Sequence, residues 1–324
     1  MLSAVTVIKT VILIVTWPCG TILNSSIIAV YLSDWKKGVK LGECDQISLS
    51  MGCTNLLLQC LITFGAAFVS YGLYLPFAKK VFFTFYTVFL FFNSLSFWLT
   101  ACLSICYCLR LVNLSPKLFI WLKRRLSRTV APLLLWSVAI SFASILPVIW
   151  ISDTETDQNT TLIYYDNTSI ANWSFLVTAF AFGIGLPSLI TAICIVLSLI
   201  SLLRHIWRMK QNPQFGSPQL KNLIRACRTM FLLMALNWLY FLIIFSSVLK
   251  SNSMDTIWDM VLLLGNVLKP SCQAIVLIFG NSKLLTVSVI LPLIPMLLVP
   301  SGSKLLIQCS VPAPCLVPVL WCPS

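Results

Sequence analysis

Histidine occurs once in this chain of 324 residues, at His205, and acids number nine against 22 lysines and arginines. Hydrolysis and group transfer need carboxylates, an imidazole or a metal cage. The sequence has no histidine-rich or paired-cysteine metal spacing, no glycine-rich phosphate loop and no nucleophile elbow. An enzyme is therefore not expected, and neither a metal nor a cofactor is implied. Cysteine is plentiful at 13, yet none falls in a segment expected outside the cell, so there is no disulfide framework to read. Residues 1–15 lack a basic leader and a small-residue cleavage site, so the first apolar run is expected to stay as a span. The net charge of +13 is spread over particular loops rather than one basic face, which argues against a nucleic-acid partner.

What is present is apolar. Hydrophobic residues make up 59% of the chain, charged residues 10%, and the mean hydropathy is +0.94, values that mark an integral membrane protein. Apolar runs near 7–32, 47–71, 81–109, 129–151, 173–203, 229–249 and 256–279 each approach or exceed the roughly 20 residues a tilted helix needs. The expected fold class is all-α, a bundle of seven transmembrane helices over residues 1–284, followed by an apolar, proline-rich tail over 285–324.

Charge orients the bundle. The third run loses its neutrality at Arg110, and Lys117, Lys123, Arg124, Arg125 and Arg128 follow with no acid among them. Short loops rich in Lys and Arg stay cytoplasmic. The loop with Lys36, Lys37 and Lys40 and the one with Arg204, Arg208, Lys210, Lys221, Arg225 and Arg228 fall on the same side. Fifteen cations thus lie inside against Lys79, Lys80 and Lys250 outside, placing the amino terminus outside and the carboxyl terminus in the cytoplasm. Between the fourth and fifth runs lie Asp153, Glu155, Asp157 and Asp166 with glycosylation sequons at Asn159, Asn167 and Asn172, as suits a luminal face. Sequons at Asn24 and Asn113 fall in a span and on the inner side and are discounted.

With no sizeable outer domain, any ligand must bind between helices, in a mostly apolar pocket with a few orienting polar groups. The outer third span offers Phe82, Phe83, Phe85, Tyr86, Phe89, Phe92 and Asn93; its aromatics either wall such a pocket or face lipid and core. Tyr240, Phe241 and Trp258 either line it or form the interfacial aromatic belt. Asp259 either pairs with a cationic ligand or favours a helix amino end. Lys269 lies well inside the seventh run, where a charge is costly. It is expected to meet Asn24, Asn55 or backbone carbonyls in a polar network that includes Ser271, or else to snorkel beside Pro270. Pro187 and Pro270 are expected to loosen their helices, with neighbouring groups satisfying the freed carbonyls.

A family resemblance rests on specific residues. Leu95-Ser96-Phe97-Trp98 through Cys102-Leu103-Ser104 to Tyr107, then Leu109-Arg110, Asn113, Ser115 and Phe119-Ile120-Trp121-Leu122-Lys123, resembles the third span and following loop of the bitter taste receptors, taste receptor type 2. Asp34-Trp35-Lys36 with Asp45-Gln46-Ile47, Ser201-Leu202 with His205 and Met209, and Pro270-Ser271 with Ile275-Val276-Leu277-Ile278 and Gly280-Asn281-Ser282-Lys283-Leu284 extend it over residues 24–284. The resemblance implies a G-protein-coupled receptor that binds small bitter agonists among its helices and activates a gustducin-type heterotrimeric G protein. The asparagine matching Asn93 then lines the agonist pocket, and a sequon in the second outer loop is a family feature. Agonist binding is expected to shift the bundle toward a packing in which the inner ends of spans three, five and six open. Arg110, Lys123, Arg124, Arg125, His205, Arg225 and Arg228 are candidates for the G-protein contact, besides orienting the chain. The Asp-Arg-Tyr, Cys-Trp-X-Pro and Asn-Pro-X-X-Tyr motifs of rhodopsin-like receptors are missing.

Departures point to rivals. Asn55 stands where the family's second span usually has arginine, and Gln273 where its seventh has histidine; the asparagine is more like vomeronasal type 1 pheromone receptors. A small transporter or channel subunit would show internal repeats or mid-span acids, and neither is visible. The tail holds seven prolines, one cation and no acid, unlike the short basic family tail, and reads as an altered frame or an unusual exon.

Overall fold

The computed structural model describes residues 4–70, 79–111, 126–156, 177–211, 218–249 and 256–290. Met1–Ser288 forms one compact unit and Val289–Ser324 a second. The helices are α1 (Ala4–Lys36), α2 (Glu43–Ser70), α3 (Lys79–Leu111), α4 (Leu126–Thr156), α5 (Leu186–Gln211, entered through a π-helical turn at Ala181–Gly185), α6 (Pro218–Leu249), α7 (Thr256–Gly280) and the short α8 (Ser282–Ile290). Among the described residues no strand occurs. Hydrocarbon gives backbone amides no partner, so chains cross it as helices or closed barrels. Six helices carry apolar windows long enough to cross, and α4 adds the 17-residue stretch Val130–Leu146. The protein is a multi-pass membrane protein whose described helices pack as an all-α bundle.

The helices outrun the apolar runs that announce them. At 1.5 Å per residue the 33 residues of α1 extend about 50 Å, beyond a hydrocarbon core of about 30 Å. The largest difference is between α5 and α6. The segment read from sequence as a loop carrying Arg204 to Arg228 is mostly helix, because α5 continues to Gln211 and α6 begins at Pro218. Arg204, Arg225 and Arg228 thus ride on helical extensions. Between α1 and α2 the turn is closed by Gly38 at φ 75, with its amide bonded to the Trp35 carbonyl at 3.0 Å and that of Val39 to Asp34 at 3.0 Å. Glycine adopts this left-handed helix stop at low cost.

α3 is the axis. Every residue from Asn93 to Ser104 is buried, and a helix buried on all faces must be surrounded. α3 packs against α2, α4, α5 and α6, while α7 closes against α1, α2 and α6. Small residues permit this: Ser94, Ser96, Ala101, Cys102 and Ser104 let neighbouring backbones approach. On the bundle's outside Ile14, Leu135, Trp136, Phe231 and Leu242 stand exposed, the surface that hydrocarbon would cover.

Pro187 leaves the carbonyl of Gly183, four residues back, without its helical donor. Ser94 of α3 donates to that carbonyl at 3.4 Å and lies 3.2 Å from the Ser144 hydroxyl of α4. α3, α4 and α5 are joined where the π turn forms.

Candidate functional site

Among the described residues, the lysine buried deepest lies at the meeting of α3, α6 and α7. Lys269 is 5% exposed. Its Nζ donates to Asn93 Oδ1 at 2.6 Å and sits 4.2 Å from the ring centroids of both Phe97 and Tyr240. Phe97 and Asn93 are one helical turn apart on α3, so amide and ring share a face. The Tyr240 hydroxyl donates to Asn266 Oδ1 at 2.8 Å, which holds its ring beside the ammonium. Among the described residues no carboxylate pairs with Lys269. A lysine at the bilayer centre costs about 3 kcal/mol on insertion scales. Two desolvated ring faces at up to about 2 kcal/mol each and a charged hydrogen bond at about 1.5–3 kcal/mol are enough to hold it without an acid.

One turn deeper, a second polar layer joins the same three helices. Ser96 Oγ donates to Gln273 Oε1 at 3.1 Å, Gln273 Nε2 to Asn237 Oδ1 at 2.9 Å, Asn237 Nδ2 to Thr100 Oγ1 at 3.2 Å, and Thr100 Oγ1 to the Ser96 carbonyl at 2.9 Å. The circuit starts and ends on Ser96, so each of these buried groups has a partner. The adjoining space lined by Phe97, Ser188, Thr191, Met234 and Asn237 has no room for a water molecule.

Of the residues expected to bind ligand, Asn93 and Tyr240 come together, and they do so on Lys269. Phe89 and Tyr86 stack loosely one to two turns outward, at 6.4 Å between centroids, with Tyr86 exposed. Asp259 is elsewhere: its side chain is 63% exposed, 4.0 Å from Lys9 of α1. Phe97, Asn266, Asn237 and Thr100 were not singled out as site residues by sequence, because none carries a charge or breaks a pattern.

The expected network around Lys269 is corrected by the geometry. Asn24 donates instead to the Gly20 and Pro270 carbonyls at 2.9 and 3.4 Å. Ser271 faces Gly20, where a Cβ would come within 2.5 Å of its Oγ and 2.8 Å of Gln59 Oε1. Gly52 packs on Ile27 and Gln59 reaches the Thr16 carbonyl at 3.5 Å, so Asn55 lies level with Asn24. Asn55 is fully buried, and its amide bonds nothing among the described residues. Asn24, Asn55 and Ser271 thus lie at the α1–α2–α7 junction, while Lys269 points to the other side of α7. Successive helical residues are about 100° apart, so Lys269 cannot share the direction of Ser271 two positions on.

Where α7 meets α8 the separated motifs meet. Asn281 Nδ2 donates to Tyr31 Oη at 2.9 Å and to Asp45 Oδ1 at 3.1 Å, and its Oδ1 accepts the Lys283 amide at 3.0 Å. Lys283 pairs with Asp34. The turn between α7 and α8 is thereby tied to α1 and α2. Arg110 ends α3 exposed, Arg228 is exposed and Arg225 half-buried on α6. Lys123, Arg124, Arg125, Asn159, Asn167 and Asn172 lie outside the described residues, as does the side chain of His205.

A family model described as Taste receptor protein (TAS2R) matches residues 1–293. The chain is similar to taste receptor type 2 member 40 of Gallus gallus, 29% identical over 274 residues that cover 82% of this chain and 87% of the relative. It is also similar to member 9 of Homo sapiens, 27% identical over 81% and 85% of the two chains, and to member 46 of Pan troglodytes, 27% identical over 88% and 93%. The matched span reaches nine residues past Leu284, through α8.

Proposed function

Because the chain belongs to the taste receptor type 2 family, we propose that it is a bitter taste receptor that binds small compounds within its helix bundle and activates a gustducin-type G protein. The observation that carries this reading is the pair of polar layers at Lys269 and Asn237, each joining α3, α6 and α7. A ligand that displaces one partner in such a layer changes how these helices pack. Moving a two-state bundle from 1:99 to 99:1 takes about 5.5 kcal/mol of differential binding, the scale of a few charged hydrogen bonds. α3, α5 and α6 carry the motion to the cytoplasmic side, where Arg110, Arg225, Arg228, Lys123, Arg124, Arg125 and His205 are the proposed G-protein contacts. The amino terminus is outside, and Asn159, Asn167 or Asn172 bears glycan.

Calcium imaging of cells expressing this chain with a chimeric G protein tests the proposal. Responses to members of a bitter panel and silence toward volatile pheromones are expected. Responses to pheromones alone would move the chain to a pheromone-sensing role.

A further inference from the structure

Lys269 is a buried cation within a span whose contacts are all neutral. Lys9, at the outer end of α1, stands 4.0 Å from Asp259, and Lys283, after α7, pairs with Asp34. The cation that costs most to bury thus has one amide oxygen and two ring faces, although an ammonium carries three donors. Building on the receptor reading, we infer that Lys269 selects ligands that carry an anionic group, a carboxylate or sulfonate, which takes the place of Asn93 Oδ1 on the ammonium.

Three features favour an anion over other occupants. A cationic ligand is repelled by Lys269, and Asp259, the acid expected to receive it, is half out of the bundle against Lys9. A neutral ligand offers the ammonium only an uncharged acceptor, of the kind it already has in Asn93 Oδ1. An anion adds charge-assisted bonds in a site of low dielectric, where they are strongest. The rings of Phe97 and Tyr240 flank the same point, so an aryl acid meets apolar walls beside its charge. Asn93, freed from Lys269, keeps an amide donor and acceptor for the ligand. The preference conferred by one such charged contact is roughly 10- to 100-fold in affinity.

The test pairs aryl carboxylates and sulfonates of one to three rings with their primary amides and sulfonamides. Binding is measured by thermal shift on the purified full-length receptor, and signalling by calcium imaging in cells. Wild type is expected to bind at least one acid ten-fold or more tighter than its amide, Lys269→Arg to retain the difference, and Lys269→Gln to erase it while still unfolding cooperatively in the ligand-free thermal assay, which shows that the variant is folded. No acid preference in any pair, or a preference that survives in Lys269→Gln, overturns the inference. An acid preference lost in Lys269→Gln but without a calcium response leaves the anion site standing and removes the receptor reading instead.

Discussion

Asn93 on α3 and Lys269 on α7 are 176 positions apart in the chain and 2.6 Å apart in space, amide oxygen to ammonium. This contact ties the central helix to the last span. Asn93→Leu strands a buried ammonium and is expected to cost about 3 kcal/mol or more, whereas Lys269→Met removes the charge and leaves only the neutral Asn93 oxygen without its donor, at about 1–3 kcal/mol. The double variant should be more stable than Asn93→Leu alone. Thermal unfolding of the four proteins in detergent checks the cycle, and strictly additive effects would mean that the two side chains do not interact.

The circuit through Ser96, Gln273, Asn237 and Thr100 makes a different demand. Gln273→Leu leaves the Asn237 oxygen without its donor and is expected to cost about 1–3 kcal/mol. Combined with Asn237→Leu, the loss should fall short of the sum by about 0.5–3 kcal/mol. Equal and independent losses in the same unfolding assay would contradict a closed circuit.

At the turn between α7 and α8 two residues of one motif should behave unequally. The Lys283 and Asp34 side chains are 39% and 17% exposed, and pairs near the surface contribute about 0–1 kcal/mol. Asn281 bridges Tyr31 and Asp45 from a more enclosed place. Asn281→Ala should therefore destabilise more than Lys283→Ala, and only the lysine variant should lose its effect at high salt.

Six spans and the shorter apolar stretch of α4 were legible because hydropathy is a property of local sequence, and the run from Asn93 on α3 stood out through its family motif. The partner of Lys269 was not. Which neighbour a buried side chain meets depends on the rotational phase of its helix, and two positions separate a lysine that faces α3 from Ser271 facing α1. The helical extensions carrying Arg204 and Arg225 were hidden for a related reason. Charge ends an apolar run without ending a helix. Satisfaction of a carbonyl near Pro187 was foreseeable from the proline; that Ser94 supplies the donor was not.

That donor leads to a further expectation. Ser94→Ala should cost about 1 kcal/mol in the wild-type chain, and less when Pro187→Ala returns an amide to the π turn at Ala181–Gly185. Unfolding midpoints of the single and double variants decide it, and an undiminished cost in the double variant would show that Ser94 acts through Ser144 alone.

The central claim, that a ligand held among α3, α6 and α7 is reported to a G protein, is tested most directly by nucleotide exchange. The purified receptor is reconstituted with a gustducin-type heterotrimer, and uptake of a non-hydrolysable GTP analogue is followed as a bitter agonist is added. Agonist-dependent acceleration that Asn93→Leu weakens is the predicted result. Exchange that no bitter compound accelerates, or that proceeds equally in the Asn93 variant, would contradict it.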